Sequence, residues 1–196
     1  EELTFYSPYV QYLGKPLEEI YPVLEESGEW GDNLYNQNGD MLGWILAREP
    51  VTINGLDYYS EILSDTAAFT PAPWAFYYET HLTTDNWDES IAQVKSVYDL
   101  LVSEMGEPEE MVVSPGSQEP LAQAFEEGFA ESHDKQTKHA WWILEDGWTY
   151  AADSSHPERY LTFMMRVITD QDDIRINVGF SLEGEHELSN LKRFAS

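Results

Sequence analysis

The chain of 196 residues contains no cysteine. Disulfides, thiolate metal centres and cysteine nucleophiles are therefore excluded. Positive charge is scarce: 10 Lys and Arg stand against 37 Asp and Glu, a net charge of −27. Phosphate backbones and anionic bilayers bind clustered cations, so no nucleic-acid partner is expected. No apolar run approaches the roughly 18–20 residues that cross a bilayer, so no membrane insertion is expected of the chain.

Reaction motifs are missing too. There is no glycine-rich phosphate loop. "SPGSQEP" at Ser114 lacks the G-x-S-x-G spacing of a nucleophile elbow. "GEHEL" around His186 lacks the histidine pair, four residues apart on a helix, that zinc chemistry needs. The other histidines, His81, His133, His139 and His156, show no ligand spacing. "NQNGD" (36–40) and "TDQDD" (169–173) gather oxygen side chains of the kind calcium favours, but turn chemistry accounts for both. No cofactor, metal ligand or catalytic residue is assigned. Paired carboxylates carry no signal among 37 acids.

What is present is enough hydrophobic sequence, 42%, to bury a core. "YLGKPLEEIYPVLEESGEW" predicts a helix, with Pro16 at its start, Gly28 at its stop and Pro22 as an interruption. Leu42–Leu46 and Val51–Ile53 predict two short strands. Trp74–Leu82 predicts a longer one, with Trp74, Phe76, Tyr78 and Leu82 on one face. "NWDESIAQVKSVYDLLVSEMGEP" predicts the clearest helix. Asn86 caps it, Ile91, Val94, Tyr98, Leu101 and Met105 form its apolar stripe, and Gly106 and Pro108 end it. A short strand at Met111–Val113 and a helix over "EPLAQAFEEGFAESH" follow.

The last third predicts a β-meander: His139–Glu145, Trp148–Ala152, Arg159–Ile168 and Ile174–Leu182. Asp146-Gly147 is a two-residue hairpin signal. Helix followed by antiparallel strands thus occurs twice, at about 15–82 and 87–182. The expected fold is α+β, antiparallel sheet with helices on one face, over residues 1–196. A single domain and two tandem halves are both compatible with that order.

The hairpin raises a question of face. "HAWWILEDGWTYAAD" would place Trp141, Trp148 and Tyr150 on one side and Trp142 with Leu144 on the other. Ala140 and Ala151 leave room for a helix beside Trp142, which assigns Trp142 to the core. Leu161, Phe163, Met165 and Val167 read as a core face, as do Ile174, Ile176, Val178, Phe180 and Leu182. Trp141, Trp148, Tyr150, Tyr160, Arg166 and Arg175 would then line an open, water-facing sheet surface. These six are the candidate ligand-binding residues, weighed against the plainer reading that aromatics in a sheet are packing.

"LGKPLEEIYPVL" followed by short strands resembles the helix openings of tandem α-β repeats in secreted proteins of the β-lactamase-inhibitor-protein type. "GEPEE…AWWILEDGWTYAA…YLTFMMRV" is similar to uncharacterised lipoprotein domains of Gram-positive gut bacteria. The inhibitor type carries disulfides that this chain lacks, and no functional residue is carried over from either. The resemblance, the absence of cysteine and a start at Glu1 without methionine lead to one expectation: an extracytoplasmic protein, secreted or lipid-anchored, whose leader has been removed. The expected function is a non-catalytic binding module of a bacterial surface, with a glycan, peptide or wall fragment as ligand. An acidic interaction or inhibitor domain with a basic protein partner is the first alternative, and a hydrolase without a familiar motif is the second.

Overall fold

The computed structural model describes residues 2–30, 37–38, 43–113, 119–129 and 135–195. The fold is α+β: among the described residues, a mostly antiparallel sheet of eight strands with three α-helices. The elements run α1 (Leu17–Ser27), β1 (Trp44–Leu46), β2 (Val51–Ile53), β3 (Leu56–Asp65), β4 (Ala72–Leu82), α2 (Trp87–Met105), β5 (Glu119–Pro120), α3 (Leu121–Glu127), β6 (Gln136–Thr149), β7 (Glu158–Asp170) and β8 (Asp173–Glu183). A 3-10 helix, Pro8–Tyr12, precedes α1. The strands lie in the order β1-β3-β4-β8-β7-β6-β5, with β2 paired to β3. The chain's first strands and last strands meet where β4 pairs with β8.

The helices form where capping and stripe agree. In α2 the Asn86 side chain accepts from the Glu89 N–H at 3.4 Å and donates to the Glu89 carboxylate at 2.7 Å, a reciprocal cap. Val94, Val97, Tyr98 and Leu101 form its buried stripe. Helix α1 starts after Pro16, keeps Pro22 inside and stops at Gly28, which takes the left-handed φ of 69°. Its Leu17, Ile20, Tyr21 and Leu24 join the α2 stripe in one apolar cluster with Phe163, Met165, Val167, Ile174, Ile176 and Val178 of the sheet. All three helices contribute to that cluster, so one sheet face is covered by helices. Helix α3 is shorter than its sequence suggests, ending at Glu127. Phe129 packs beyond it against Phe125. Met111 makes an isolated bridge to Leu191 in place of a strand.

Strand β3 is absent from the sequence reading. The signal for it is Asn54-Gly55: both residues have positive φ, 51° and 83°, and join β2 to β3 as a tight hairpin. The expected hairpin at Asp146-Gly147 does not form. β6 instead runs unbroken from Gln136 to Thr149 beside β7, and Gly147, at φ 69°, sits in a bulged stretch. The register shifts between Ile143 and Glu145 and again between Glu145 and Trp148. Trp141 and Ile143 therefore lie opposite Met164 and Thr162, whereas Glu145 and Trp148 lie opposite Leu161 and Arg159 on the alternate phase. A hairpin and a bulge both use a left-handed glycine, and only the pairing partner distinguishes them.

"NQNGD" falls largely outside the described residues. "TDQDD" is the turn between β7 and β8. No helix among the described residues is long and apolar enough to cross a membrane. The described residues contain no group of three or more His, Asp or Glu fit to hold a metal ion.

Candidate functional site

The helix-free face of the sheet is built from the residues that alternate with the core. Across the strands runs a row of Tyr59, Glu79, Asn177, Arg166 and His139, followed by a row of Glu61, Tyr77, Gly179, Met164 and Trp141. The sequence reading made this face open to water, but its centre is covered. Met164, Asn177, Thr162 and Ser181 are buried. Trp141 and Trp74 pack on Ala75, Tyr77 and Met164 as a second, smaller apolar cluster. The segment after β8 also folds back here, setting Phe194 edge-on to Tyr160 with ring centroids 5.1 Å apart.

Between that segment and the sheet lies a pocket of about 680 Å³. Trp74, Tyr77, Trp141 and Met164 supply its apolar lining, and His139, Arg166 and Glu183 reach it from the strands. His186, Glu187 and Asn190 stand along the segment after β8. Glu183, paired with β7 at Tyr160, and Arg166 both line the pocket, so it follows β7 as a groove over about 20 Å at ~3.3 Å per residue. The lining mixes the rings of Trp74, Tyr77, Trp141 and Tyr150 with charged and amide side chains, and shifted pKa values in a concave site mark a candidate binding surface.

The electrostatics come from burial. Glu183 is 8% exposed, and desolvation, with Glu187 nearby, pushes its pKa up to about 7. Glu61 is also raised to about 7, by burial and then by Glu79, although the Trp44 indole N–H donates to it at 3.1 Å. His139 is held neutral, its pKa lowered to about 4 by burial and by Arg166. Its ring lies parallel to Trp141, planes 3° and centroids 5.8 Å apart. Its Nδ1 has no hydrogen-bond partner. Arg166 donates to the Asn177 amide oxygen at 2.6 Å, in the amide orientation that also lets Asn177 donate to Glu79 at 2.9 Å.

Of the six sequence candidates, Trp141 and Arg166 line this pocket from the sheet face. Tyr150 touches its rim but is 8% exposed and belongs to the main core, held under the Arg159 guanidinium at 5.2 Å. Trp148 lies on the core side, where its indole N–H donates to the Leu13 carbonyl at 2.8 Å. That placement follows from β6 running on past Gly147 instead of turning back, which leaves Trp148 at odd spacing from Trp141. Tyr160 is on the right face but beyond the pocket, against Phe194. Arg175 is on the right face at the far end of β8, within 3.7 Å of Glu79.

The sequence reading missed Trp74, His139 and Glu183. Trp74 is the extra residue of a β4 bulge: Ala75 pairs with Leu63 and Pro73 with Ser64. The bulge breaks the alternation that would have put Trp74 with Phe76. Glu183 ends the alternate face of β8 that also carries Arg175, Asn177, Gly179 and Ser181, and nothing local in the sequence marks it as buried. A second cavity, about 570 Å³, lies by the 3-10 helix among Tyr9, Trp30, Phe76 and Tyr78. Its Tyr9 hydroxyl is already bonded to Glu29 at 2.9 Å. Comparison with protein-family models, curated proteins and solved structures finds no match for this chain.

Proposed function

We propose that this protein is a non-catalytic binding module that takes a glycan chain in the groove on the helix-free sheet face. The observation that supports it most is the convergence of Trp74, Tyr77 and Trp141 with Arg166, His139 and Glu183 in one pocket. Aromatic rings cover the apolar face of a sugar, and directed polar groups read its hydroxyls. Strand β7 is paired on both sides, by β6 and β8, so the floor of the groove offers side chains and no free backbone row. An extended peptide gains its affinity from such a backbone row at a sheet edge, which this face lacks. A bacterial cell surface as its location, secreted or lipid-anchored, belongs to the same proposal. It rests on the acidic, cysteine-free composition of the chain.

The test is retention on immobilised wall and matrix polysaccharides, comparing the wild type with Trp141→Ala. Retention that the substitution removes, with the fold intact by circular dichroism, is the expected result. Equal retention of both would overturn the reading.

A further inference from the structure

Arginine is rare in this chain, five residues in all, and three of them, Arg159, Arg166 and Arg175, lie on the adjacent strands β7 and β8. Two of the three already have carboxylates. Arg159 holds Asp153 at 2.6 Å and lies 3.6 Å from Glu187, while Arg175 lies 3.7 Å from Glu79. Arg193, outside the groove, is 3.7 Å from Glu109. Arg166 is different: among the described residues it makes no ion pair, and its one hydrogen bond goes to the neutral amide of Asn177.

That is unusual in a chain of net charge −27, where a carboxylate is the commonest polar neighbour. A guanidinium has five N–H donors, and the bond to Asn177 uses one. The side chain is half-buried and its remaining donors are open to the pocket, where they can meet a ligand. Of the carboxyls around it, Glu61 and Glu183 are pushed toward neutrality by burial, while Glu79 is engaged by Asn177 and Arg175 and Glu187 by Arg159. The neighbouring imidazole of His139, 3% exposed, leaves Nδ1 unpartnered in the same pocket. Both groups are polar, buried or half-buried, unfilled and beside Trp141.

We infer that the groove is specific for an acidic glycan, with a hexuronate carboxylate seated on Arg166 and the sugar ring against Trp141. The guanidinium and the carboxylate match as a planar bidentate pair. The ring supplies the apolar face for Trp141, whose other side is already occupied by His139. His139 Nδ1 and the Glu183 carboxyl then face hydroxyls farther along the chain. This inference rests on the glycan-groove reading and narrows it.

The experiment is isothermal titration calorimetry near neutral pH. The probes are oligouronates from pectate, alginate, glucuronoxylan and hyaluronan, each beside its carboxyl methyl ester. Neutral cello- and xylo-oligosaccharides and a set of acidic peptides complete the panel. At least one oligouronate should bind, its ester should bind about 10- to 100-fold more weakly, and Arg166→Lys should show the same loss for the acid with little change for the ester. Lysine keeps the charge, so a retained melting temperature separates lost recognition from lost folding. Acid and ester bound equally, or neutral oligosaccharides alone bound in a Trp141-dependent way, would overturn the carboxylate inference and leave the glycan groove standing. Binding of acidic peptides alone would overturn the sugar assignment. Binding of nothing in the panel would overturn both.

Discussion

Trp141 and Trp148 lie on the same strand and face opposite sides of the sheet. Trp141 stacks on His139 above the groove. Trp148 is packed against the main core and donates its indole N–H to Leu13. The strand runs on through Gly147 instead of turning back, and the odd spacing between the two tryptophans puts them on opposite faces, the two one-residue register shifts cancelling in phase. Trp148→Ala removes both the packing and a hydrogen bond, and should cost about 3 kcal/mol of stability. Trp141→Ala should cost no more than about 1–2 kcal/mol, because its ring packs, partly buried, on the small Ala75, Tyr77 and Met164 cluster and not in the main core. Urea denaturation of the two variants checks the ordering, and a reversed order would put the aromatic groove on the wrong side.

Gly179 sits in the middle of β8, on the groove face, between Tyr77 and Met164. A Cβ there would come within 2.0 Å of the Phe76 carbonyl oxygen and 2.8 Å of the Tyr77 Cα. Backbone cannot step aside as a flexible side chain does. Gly179→Ala should force β4 and β8 apart and destabilise the fold by about 3 kcal/mol or more, in the range of severe core disruption. Thermal unfolding measures it. A loss under about 1 kcal/mol would mean that the two strands are held less closely than described.

Glu183 gives a pH dependence of definite sign. Its folded pKa, about 7, lies above the ordinary 4.5, so the folded state binds its proton more tightly than the unfolded state. Stability from this group is therefore greatest at low pH and is lost as pH rises from about 4.5 to about 7. Glu183→Gln mimics the protonated form and removes this loss. Relative to wild type it should gain stability across that window, by at most about 1.4 kcal/mol per pH unit. His139, lowered to about 4, titrates with the opposite sign and is shared by both proteins, so the difference isolates Glu183. A difference that stays flat with pH would place Glu183 in contact with water.

The helices and the core strands were legible because their signals are local. Asn86 and Gly106 frame α2, and the apolar alternations of β7 and β8 give their core faces directly. The candidate site was legible only in part, at Trp141 and Arg166, which lie where alternation is unbroken. It failed at Trp148, where the strand runs on instead of turning, and at Trp74, where a bulge inverts the phase. A bulge depends on which strand lies alongside, and that partner is far away in sequence. Asn54-Gly55 and Asp146-Gly147 illustrate the same limit: one closes a hairpin and the other sits within a continuous strand. The burial of Glu183 depends on the distant segment that turns back over the sheet.

The indole N–H signals of the seven tryptophans give the most direct test of the groove. In ¹H–¹⁵N spectra recorded during titration with the oligouronate that binds best, the Trp74 and Trp141 signals should shift together. Trp142, bonded to the Gly106 carbonyl at 2.9 Å, and Trp148, bonded to Leu13, should stay in place. Shifts at Trp30 with Trp141 unmoved would contradict the account and move the binding site to the cavity beside the 3-10 helix.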